Sequence, residues 1–257
     1  RVVSESGIAS RADLLRLAPL VDGLLVGTSL SRSPEPARAA RELACGRVKV
    51  CGLTRPEDAA AAWKAGASFG GLIFAADSSR RIDQAVAQRI QAEAPLAWVG
   101  VFRDQPLYEI AAVARAMKLA AVQLHGEENA AYASALREHL PADCEIWKAV
   151  PARAPLPRAA DFGVERLLLD TGRGGRLGGS GIAFDAAALA GADLAGCVLA
   201  GGITPENAAA ATALGAWALD VNSGVELRPG VKSGQRMRSL FTALRVAAGR
   251  RSLGHGR

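Results

Sequence analysis

The stretch Val48-Lys49-Val50-Cys51-Gly52 decides how the rest of the sequence is interpreted, because a short apolar run there ends in a cysteine and a glycine. Seven further runs follow, and each of them also ends in polar or glycine residues. Short apolar runs bounded by turn signals are typical of strands buried in a parallel sheet. Eight strands are therefore predicted, at residues 48–51, 69–74, 96–102, 121–124, 144–150, 165–170, 196–200 and 217–222.

Alanine-rich segments with helical periodicity lie between most of the predicted strands. Thr54 and Thr204 each precede a proline and acidic residues, so both are predicted to cap a helix. Eight strand-helix units in about 200 residues predict a compact (β/α)8 TIM barrel, which is an α/β fold. The predicted helices cover residues 55–66, 83–93, 106–116, 127–139 and 204–214.

Two connections depart from this alternation. Residues 151–157 contain three prolines, so the helix after the fifth strand is predicted to be short or absent. Residues 171–181, after the sixth strand, contain six glycines and are predicted to form a loop. Such a loop is either a flexible connector or a lid that closes on a substrate, and its place on the catalytic face of the barrel favours the lid.

The first 46 residues do not belong to the barrel, because all eight predicted barrel strands lie after them. The chain also starts at Arg1 rather than at a methionine, which indicates a fragment cut inside an upstream domain. The pattern of this segment predicts a strand at residues 2–7, a helix at 11–18, a strand at 24–28 and a helix at 34–45. These elements make two βα units that belong to a different domain from the barrel.

The composition of the 257-residue chain suits one sizeable globular domain, since 50% of the residues are hydrophobic and 22% are charged. No run approaches the roughly 18 apolar residues of a membrane helix, and the N-terminus lacks the zones of a signal peptide. We therefore expect a cytoplasmic protein without a membrane partner. The four cysteines show neither CxxC nor Cys/His spacing, so neither a metal site nor a disulfide framework is indicated.

The formal net charge of +6 does not by itself indicate nucleic-acid binding. The basic residues are scattered, and their densest cluster is the end of the chain, at residues 250–257. A strip of basic residues interleaved with aromatic residues would indicate a nucleic-acid site, but this chain has no such strip and only 5% aromatic residues. No nucleic-acid partner is therefore expected, and a basic pocket for an anionic metabolite would account for part of the charge.

Two glycine-containing turns predict a phosphate site. Leu199-Ala200-Gly201-Gly202-Ile203 and Asp220-Val221-Asn222-Ser223-Gly224 end the seventh and eighth strands, where TIM-barrel enzymes frequently bind phosphate. A glycine lets the backbone approach a ligand because it has no Cβ. A single such turn is more simply a tight bend, but two on consecutive strands at the same rim favour a phosphate site.

Two side chains at strand ends are candidates for acid–base chemistry. Cys51 ends the first barrel strand and Asp170 ends the sixth, both on the face where barrel enzymes keep their catalytic groups. The pair indicates proton transfer rather than metal binding. Cys51 acts as a base only as a thiolate, which requires a lowered pKa from nearby positive charge. The alternatives are a buried core cysteine and a surface carboxylate.

At three further positions the side chains have either a functional role or a structural or solvated one. One of the Arg80-Arg81 pair could hold a substrate carboxylate, or both arginines could be solvated. His125, at the end of the fourth strand, is equally consistent with a structural and a catalytic role. Lys148 is expected to point into the barrel, because Trp147 and Ala149 would occupy the other face of the strand.

The ordered motifs of residues 48 to about 246 resemble those of the phosphoribosylanthranilate isomerase family. The resemblance is highly specific because it combines many motifs in the same order. Those that carry it include Val48-Lys49-Val50-Cys51-Gly52-Leu53-Thr54, Gly70-Gly71-Leu72-Ile73-Phe74, Val122-Gln123-Leu124-His125-Gly126, Leu169-Asp170-Thr171, Ala200-Gly201-Gly202 and Asp220-Val221-Asn222-Ser223-Gly224-Val225-Glu226.

The resemblance implies an Amadori rearrangement of N-(5′-phosphoribosyl)anthranilate that requires no metal or cofactor. In that scheme Asp170 is the general acid that protonates the ribose ring oxygen, and Cys51 is the general base that removes the C2′ proton. Arg80 would hold the anthranilate carboxylate. The other substrate contacts implied are Gln123, His125 and Asp220 in the pocket, with Gly201, Gly202, Asn222, Ser223 and Gly224 around the phosphate. The alternative is a degenerate barrel that binds a phosphorylated metabolite without turnover.

The N-terminal segment resembles the end of indole-3-glycerol-phosphate synthase, through Ser4-Glu5-Ser6-Gly7-Ile8 and Leu25-Val26-Gly27-Thr28-Ser29-Leu30. The resemblance implies a bifunctional fusion with an upstream synthase domain in the intact protein. It also implies a remnant phosphate site at Ser6, Gly7, Gly27 and Thr28, without synthase activity because the catalytic residues of earlier strands are absent. The expected domains are residues 1–46 (synthase remnant), 47–248 (isomerase barrel) and 249–257 (basic tail).

Overall fold

A computed structural model describes residues 1–153, 155–171 and 184–246 of the protein. Contacts divide the chain into a larger unit, Arg47–Ala243, and a smaller unit made of Arg1–Gly46 and the chain from Leu244. Most of the glycine-rich loop predicted as a lid, and the basic tail predicted at 249–257, lie outside the described residues.

The smaller unit contains a two-stranded parallel sheet and three helices. Strand β1 (Val3–Glu5) pairs with β2 (Gly23–Leu25) in parallel, with Val3 opposite Gly23. The order of strands and helices predicted for this segment is therefore observed, with one additional short helix. The helices are α1 (Arg11–Leu17), α2 (Thr28–Ser31) and α3 (Pro36–Cys45).

The larger unit is a closed barrel of eight parallel strands, as predicted. Neighbouring strands in the barrel follow one another along the chain, and the last pairs with the first, with Leu219 opposite Val48. The strands are β3 (Val48–Val50), β4 (Phe69–Ile73), β5 (Ala97–Phe102), β6 (Ala121–Leu124), β7 (Glu145–Pro151), β8 (Arg166–Asp170), β9 (Val198–Leu199) and β10 (Ala218–Val221).

Among the described residues, a helix lies between each two successive barrel strands except β8 and β9, and a short hairpin follows β10. The helix after β7 has only four residues, which agrees with the prediction from its prolines. Among the helices of the described ranges, none is both long enough and apolar enough to cross a membrane. The remaining elements are α4 (Pro56–Ala65), α5 (Gln84–Ala92), α6 (Leu107–Ala116), α7 (Ala130–Arg137), α8 (Ala159–Phe162), α9 (Ala208–Ala213), β11 (Glu226–Arg228), β12 (Val231–Lys232) and α10 (Gly234–Leu244).

The prediction that Thr54 and Thr204 cap helices is wrong. The Thr54 hydroxyl donates instead to the carbonyl oxygen of Gly230, and α4 has no side-chain cap. Thr204 accepts a hydrogen bond from the amide of Glu206 within a turn, so α9 begins only after Asn207. Thr54 lies one residue before the N-cap of α4, Arg55. Thr204 lies three residues before the N-cap of α9, Asn207, because a turn at residues 205–207 comes first.

The barrel interior is filled by side chains that alternate along each strand. Phe69, Trp147 and Trp217 pack together there, with ring centroids 5.7–5.8 Å apart. Trp147 and Ala149 belong to this interior cluster, so the expectation that Lys148 points inward is wrong. The pleat places Lys148 on the outer face of β7, where its Nζ lies 2.8 Å from Oε2 of Glu128.

Candidate active site

A cavity of about 300 Å³ opens at the carboxyl ends of the barrel strands. Its volume lies at the lower end of the range for small-molecule sites. All eleven barrel residues predicted to contact or transform a substrate line it. They are Cys51, Arg80, Gln123, His125, Asp170, Gly201, Gly202, Asp220, Asn222, Ser223 and Gly224. The parallel barrel accounts for this, since residues distant in sequence all end strands on one rim.

Cys51 lies in the wall of the cavity, directly after β3. It is buried and packs with Ile73, Ala75 and Val101. Its neighbour on β4 is Gly71, where a Cβ would lie 2.9 Å from both the Cα and the Sγ of Cys51. The glycine therefore leaves the space that the thiol occupies.

Lys49 is the functional candidate that the sequence reasoning missed. It is completely buried inside the barrel, and its Nζ donates to Cys51 Sγ at 3.3 Å, Gln123 Oε1 at 2.7 Å and Asp220 Oδ2 at 3.1 Å. The available signal was its spacing, because a residue two positions before Cys51 on a strand points to the same side. Lys49 is missed because it lies within an apolar run, between two valines.

The ionisation of Cys51 is governed by burial and by the charges that surround it. Burial and the Asp220 carboxylate raise the pKa of the Cys51 thiol above its ordinary value, while Lys49 and Lys232 oppose that rise. This direction is opposite to the lowered pKa expected for a base. Burial lowers the pKa of Lys49, but Asp220 and Cys51 more than offset this effect, so its pKa lies above its ordinary value and the ammonium stays charged.

A chain of hydrogen bonds leads from Lys49 towards Asp170. Because an ammonium only donates, Gln123 turns its Oε1 to Lys49 and its Nε2 to Nδ1 of His125, at 3.0 Å. Nδ1 then accepts, and the imidazole proton is assigned to Nε2, which lies 3.7 Å from Asp170 Oδ2. Burial, followed by the charge of Arg103 and other cations, lowers the pKa of His125 to about 4, so the imidazole is neutral at pH 7.

Arg80 reaches the cavity from the segment after β4 and is held by a carboxylate that the sequence reasoning did not single out. Its Nε and Nη2 donate to Glu226 Oε1 at 2.9 Å and Oε2 at 2.7 Å. Lys232 Nζ donates to the same carboxylate and to Asn222 Oδ1, both at 2.8 Å. Burial alone would raise the pKa of Glu226, but Arg80 and Lys232 more than offset it and lower that pKa. The bidentate pair fixes the guanidinium plane at the cavity wall.

The glycine turns after β9 and β10 meet at one side of the cavity. Gly201 and Gly202 have positive φ angles of 97° and 56°, which glycine adopts without strain. A Cβ on Gly224 would lie 1.9 Å from the carbonyl oxygen of Ile203, so the two turns are in backbone contact. A second cavity, of about 400 Å³, shares Gly202, Ser223 and Gly224 with the first. This rim presents closely packed backbone of the kind that binds phosphate.

The four residues predicted as a remnant phosphate site lie in the smaller unit. Ser6 and Gly7 follow the end of β1, and Gly27 and Thr28 follow the end of β2. Since the two strands are parallel neighbours, the structure brings the four residues to the same end of the sheet.

Comparison with known proteins adds independent findings. Residues 48–243 match the family model described as "N-(5'phosphoribosyl)anthranilate (PRA) isomerase". The tryptophan biosynthesis protein TrpCF of Yersinia pestis is 45% identical over 95% of this chain and 51% of its own length. The chain spans about half the length of the curated relatives it matches.

Solved structures that resemble this chain include two of phosphoribosyl anthranilate isomerases. The phosphoribosyl anthranilate isomerase of Thermus thermophilus is 42% identical, with a TM-score of 0.68 over 77% of this chain and 98% of that one. A phosphoribosyl anthranilate isomerase in complex with reduced 1-(o-carboxyphenylamino)-1-deoxyribulose 5-phosphate is 31% identical. It has a TM-score of 0.62 over 77% of this chain and 97% of that one.

Proposed function

This chain belongs to the N-(5′-phosphoribosyl)anthranilate isomerase family, and from that premise we propose that its barrel isomerises N-(5′-phosphoribosyl)anthranilate to 1-(2-carboxyphenylamino)-1-deoxyribulose 5-phosphate in tryptophan biosynthesis. One observation carries the proposal: a single cavity holds a carboxylic acid, a thiol, an arginine and the two glycine turns. These are the groups needed to open a sugar ring, remove a carbon-bound proton and hold two anionic ends of a substrate.

Asp170 is the general acid of the first step. Its carboxyl proton goes to the ribose ring oxygen as the bond from that oxygen to C1′ breaks, and the anthranilate nitrogen forms a double bond to C1′. The Asp170 carboxylate that remains faces the neutral His125, whose Nε2 lies 3.7 Å from Oδ2. A donor at this position stabilises the charge that develops on the acid.

Cys51 is the general base of the second step. Its thiolate takes the proton from C2′, and the electron pair of that bond forms a C1′–C2′ double bond while the nitrogen recovers its lone pair. Delivery of a proton to C1′ and loss of the hydroxyl proton at C2′ then give the ketone. These two transfers restore the thiolate and the acid, so the reaction is a net isomerisation.

The substrate's two anionic groups are assigned to different residues of the cavity. Arg80, oriented by Glu226, holds the anthranilate carboxylate. The turns containing Gly201 and Gly224 hold the phosphate through backbone N–H groups. Gln123 and Asp220 also line the cavity.

The test of this proposal is turnover of N-(5′-phosphoribosyl)anthranilate, followed by the loss of anthranilate fluorescence. We expect substoichiometric protein to remove all of the substrate fluorescence. Equilibrium binding of the substrate with no loss of its fluorescence would instead favour a barrel that binds phosphorylated metabolites without catalysis.

The pH dependence of thiol reactivity reports the base. The pKa of Cys51 is raised, so the thiolate is present only above that raised value and is lost as the pH falls through it. Because only the thiolate reacts with iodoacetamide, we expect the rate of Cys51 alkylation to rise about tenfold per pH unit between roughly pH 6 and pH 8. A flat profile over this range would contradict a base with a raised pKa.

The contact between the two glycine turns predicts a specific binding defect. In Gly224→Ala the new Cβ collides with the backbone oxygen of Ile203, so the turn must move away from the phosphate. We expect KM to rise by about tenfold or more, with a smaller change in kcat. Gly196→Ala is the matched control, since its Cβ would meet nothing within 4 Å. An unchanged KM in Gly224→Ala would argue against phosphate binding at this rim.

For the smaller unit we propose that residues 1–46 are the C-terminal remnant of an indole-3-glycerol-phosphate synthase barrel, with an upstream synthase domain in the intact protein. The support is that the similarity to the TrpCF proteins covers 95% of the chain but only about half of theirs. Ser6, Gly7, Gly27 and Thr28 are assigned to that domain's phosphate site. Two βα units lack most of a barrel, so no synthase activity is expected from this segment.

A two-stranded sheet is marginally stable by itself, which predicts a measurable difference between the two units. Most residues of β1 and β2 are exposed or half-buried, whereas β5 is buried throughout. We expect the amides of β1 and β2 to exchange with solvent at least about 100-fold faster than those of β5. Equal protection, measured by hydrogen exchange and mass spectrometry, would contradict this expectation.

We also propose that the enzyme works in the cytoplasm. All four cysteines, Cys45, Cys51, Cys144 and Cys197, are free thiols, which is the usual state in a reducing compartment. A biosynthetic step on a phosphorylated intermediate is consistent with that location.

A further inference from the structure

Lys49 carries a charge in the interior of the barrel that the mechanism above does not use. It is fully buried and does not line the cavity, so a direct contact with substrate is not its role. Removing an ammonium from water is costly unless its new partners compensate. Its three partners are Cys51, Gln123 and Asp220, and two of these lead to the proposed acid and base.

We propose that Lys49 is a positioning residue for both proton-transfer groups, an inference that rests on the proposed function. On one side its ammonium holds the Cys51 sulfur and favours the thiolate. On the other side it fixes the Gln123 amide, which fixes the imidazole of His125 with Nε2–H towards Asp170.

The charges near Cys51 support the first part. The buried cations Lys49, Arg80 and Lys232 attract the Cys51 thiolate, whereas the buried carboxylate of Asp220 repels it. Lys49 is the one whose Nζ donates directly to the sulfur, at 3.3 Å.

The hydrogen bonds to Gln123 support the second part. Without the ammonium, the two ends of the Gln123 amide could exchange places, since the side chain both donates and accepts. An exchanged amide would offer an oxygen to Nδ1 of His125 and favour the tautomer with its proton on Nδ1. Nε2 would then have no proton to direct at Asp170, 3.7 Å away. Lys49 therefore affects both the ionisation of the base, Cys51, and the direction of the His125 N–H towards the acid, Asp170.

The test is the pH dependence of alkylation of Cys51 by iodoacetamide, measured on the Cys51 peptide by mass spectrometry. In Lys49→Met we expect the alkylation midpoint to rise by about 1–3 pH units, the usual effect of losing an opposite charge at this distance. The Cys197 peptide of the same sample is the internal reference and should keep its midpoint. An unchanged Cys51 midpoint in folded Lys49→Met would overturn the proposal.

Asp220→Asn is a second variant, useful if Lys49→Met does not fold. It is nearly isosteric and removes the carboxylate that competes for the ammonium, so the Cys51 midpoint should fall. A midpoint that stays or rises would overturn the proposal. Alkylation uses no substrate, so failure of isomerase turnover and failure of this inference are separate results.

Turnover gives the final comparison, because Lys49 lies outside the cavity lining. In Lys49→Met we expect kcat to fall about 100-fold and KM to stay within about threefold. A loss confined to KM would overturn the positioning role.

Discussion

Replacing Asp170 with asparagine should lower kcat by about 10²–10⁴-fold, the usual contribution of a general acid. Asparagine keeps the shape of the side chain but has no proton that it can give to the ribose ring oxygen. The fold should persist, because Asp170 ends a strand at the cavity rather than supporting the core. The measurement is steady-state turnover of N-(5′-phosphoribosyl)anthranilate, with circular dichroism to verify folding.

Asp83→Asn provides the matched control for this variant. Asp83 caps α5 by accepting a hydrogen bond from the amide of Val86, and asparagine caps equally well. The same chemical change there should leave kcat within about twofold. If Asp170→Asn behaved like this control, ring opening would need a different acid.

Replacing Cys51 with alanine should also cost about 10²–10⁴-fold in kcat, since no other group at that position can take the C2′ proton. Lys49 retains Gln123 and Asp220 as partners in this variant, so the barrel interior keeps its hydrogen bonds. KM should change little, because the proposed anion contacts are at Arg80 and the glycine turns.

Cys144→Ala is the corresponding control, a buried cysteine that precedes β7 at the other end of the barrel. It should keep nearly the full kcat although it removes the same atom from an equally buried position. Equal activity of Cys51→Ala and Cys144→Ala would show that the thiol of Cys51 takes no part in the chemistry.

The barrel could be predicted from the sequence because its strands are local signals. Each is a short apolar run, most of them end in a polar residue or glycine, and Cys51 and Asp170 stand at two of those ends. Once the runs are accepted as parallel strands of one barrel, their carboxyl ends must meet at one rim. The cavity position of Cys51, Asp170 and the two glycine turns follows from that geometry, whereas Gln123 and Asp220 are expected there from the family resemblance.

What could not be predicted depends on contacts between distant residues and on which strand face turns inward. Arg80 and Glu226 are 146 positions apart, so no local pattern pairs them. Lys148 is expected inside because Trp147 and Ala149 are placed on the other face of β7. Burial on both faces of the strand removes the polar alternation that would separate inside from outside. Lys49 is missed because it lies within an apolar run.

The central claim is that Asp170 and Cys51, at the same end of the barrel, act as the acid and the base that isomerise the substrate. The most direct measurement is a single-turnover experiment with excess protein, in which anthranilate fluorescence is followed for the unaltered chain, Asp170→Asn and Cys51→Ala. The account predicts rapid loss of fluorescence with the unaltered chain, and bound but unconverted substrate with both variants. Conversion by either variant at the rate of the unaltered chain, or no conversion by the unaltered chain, would contradict it.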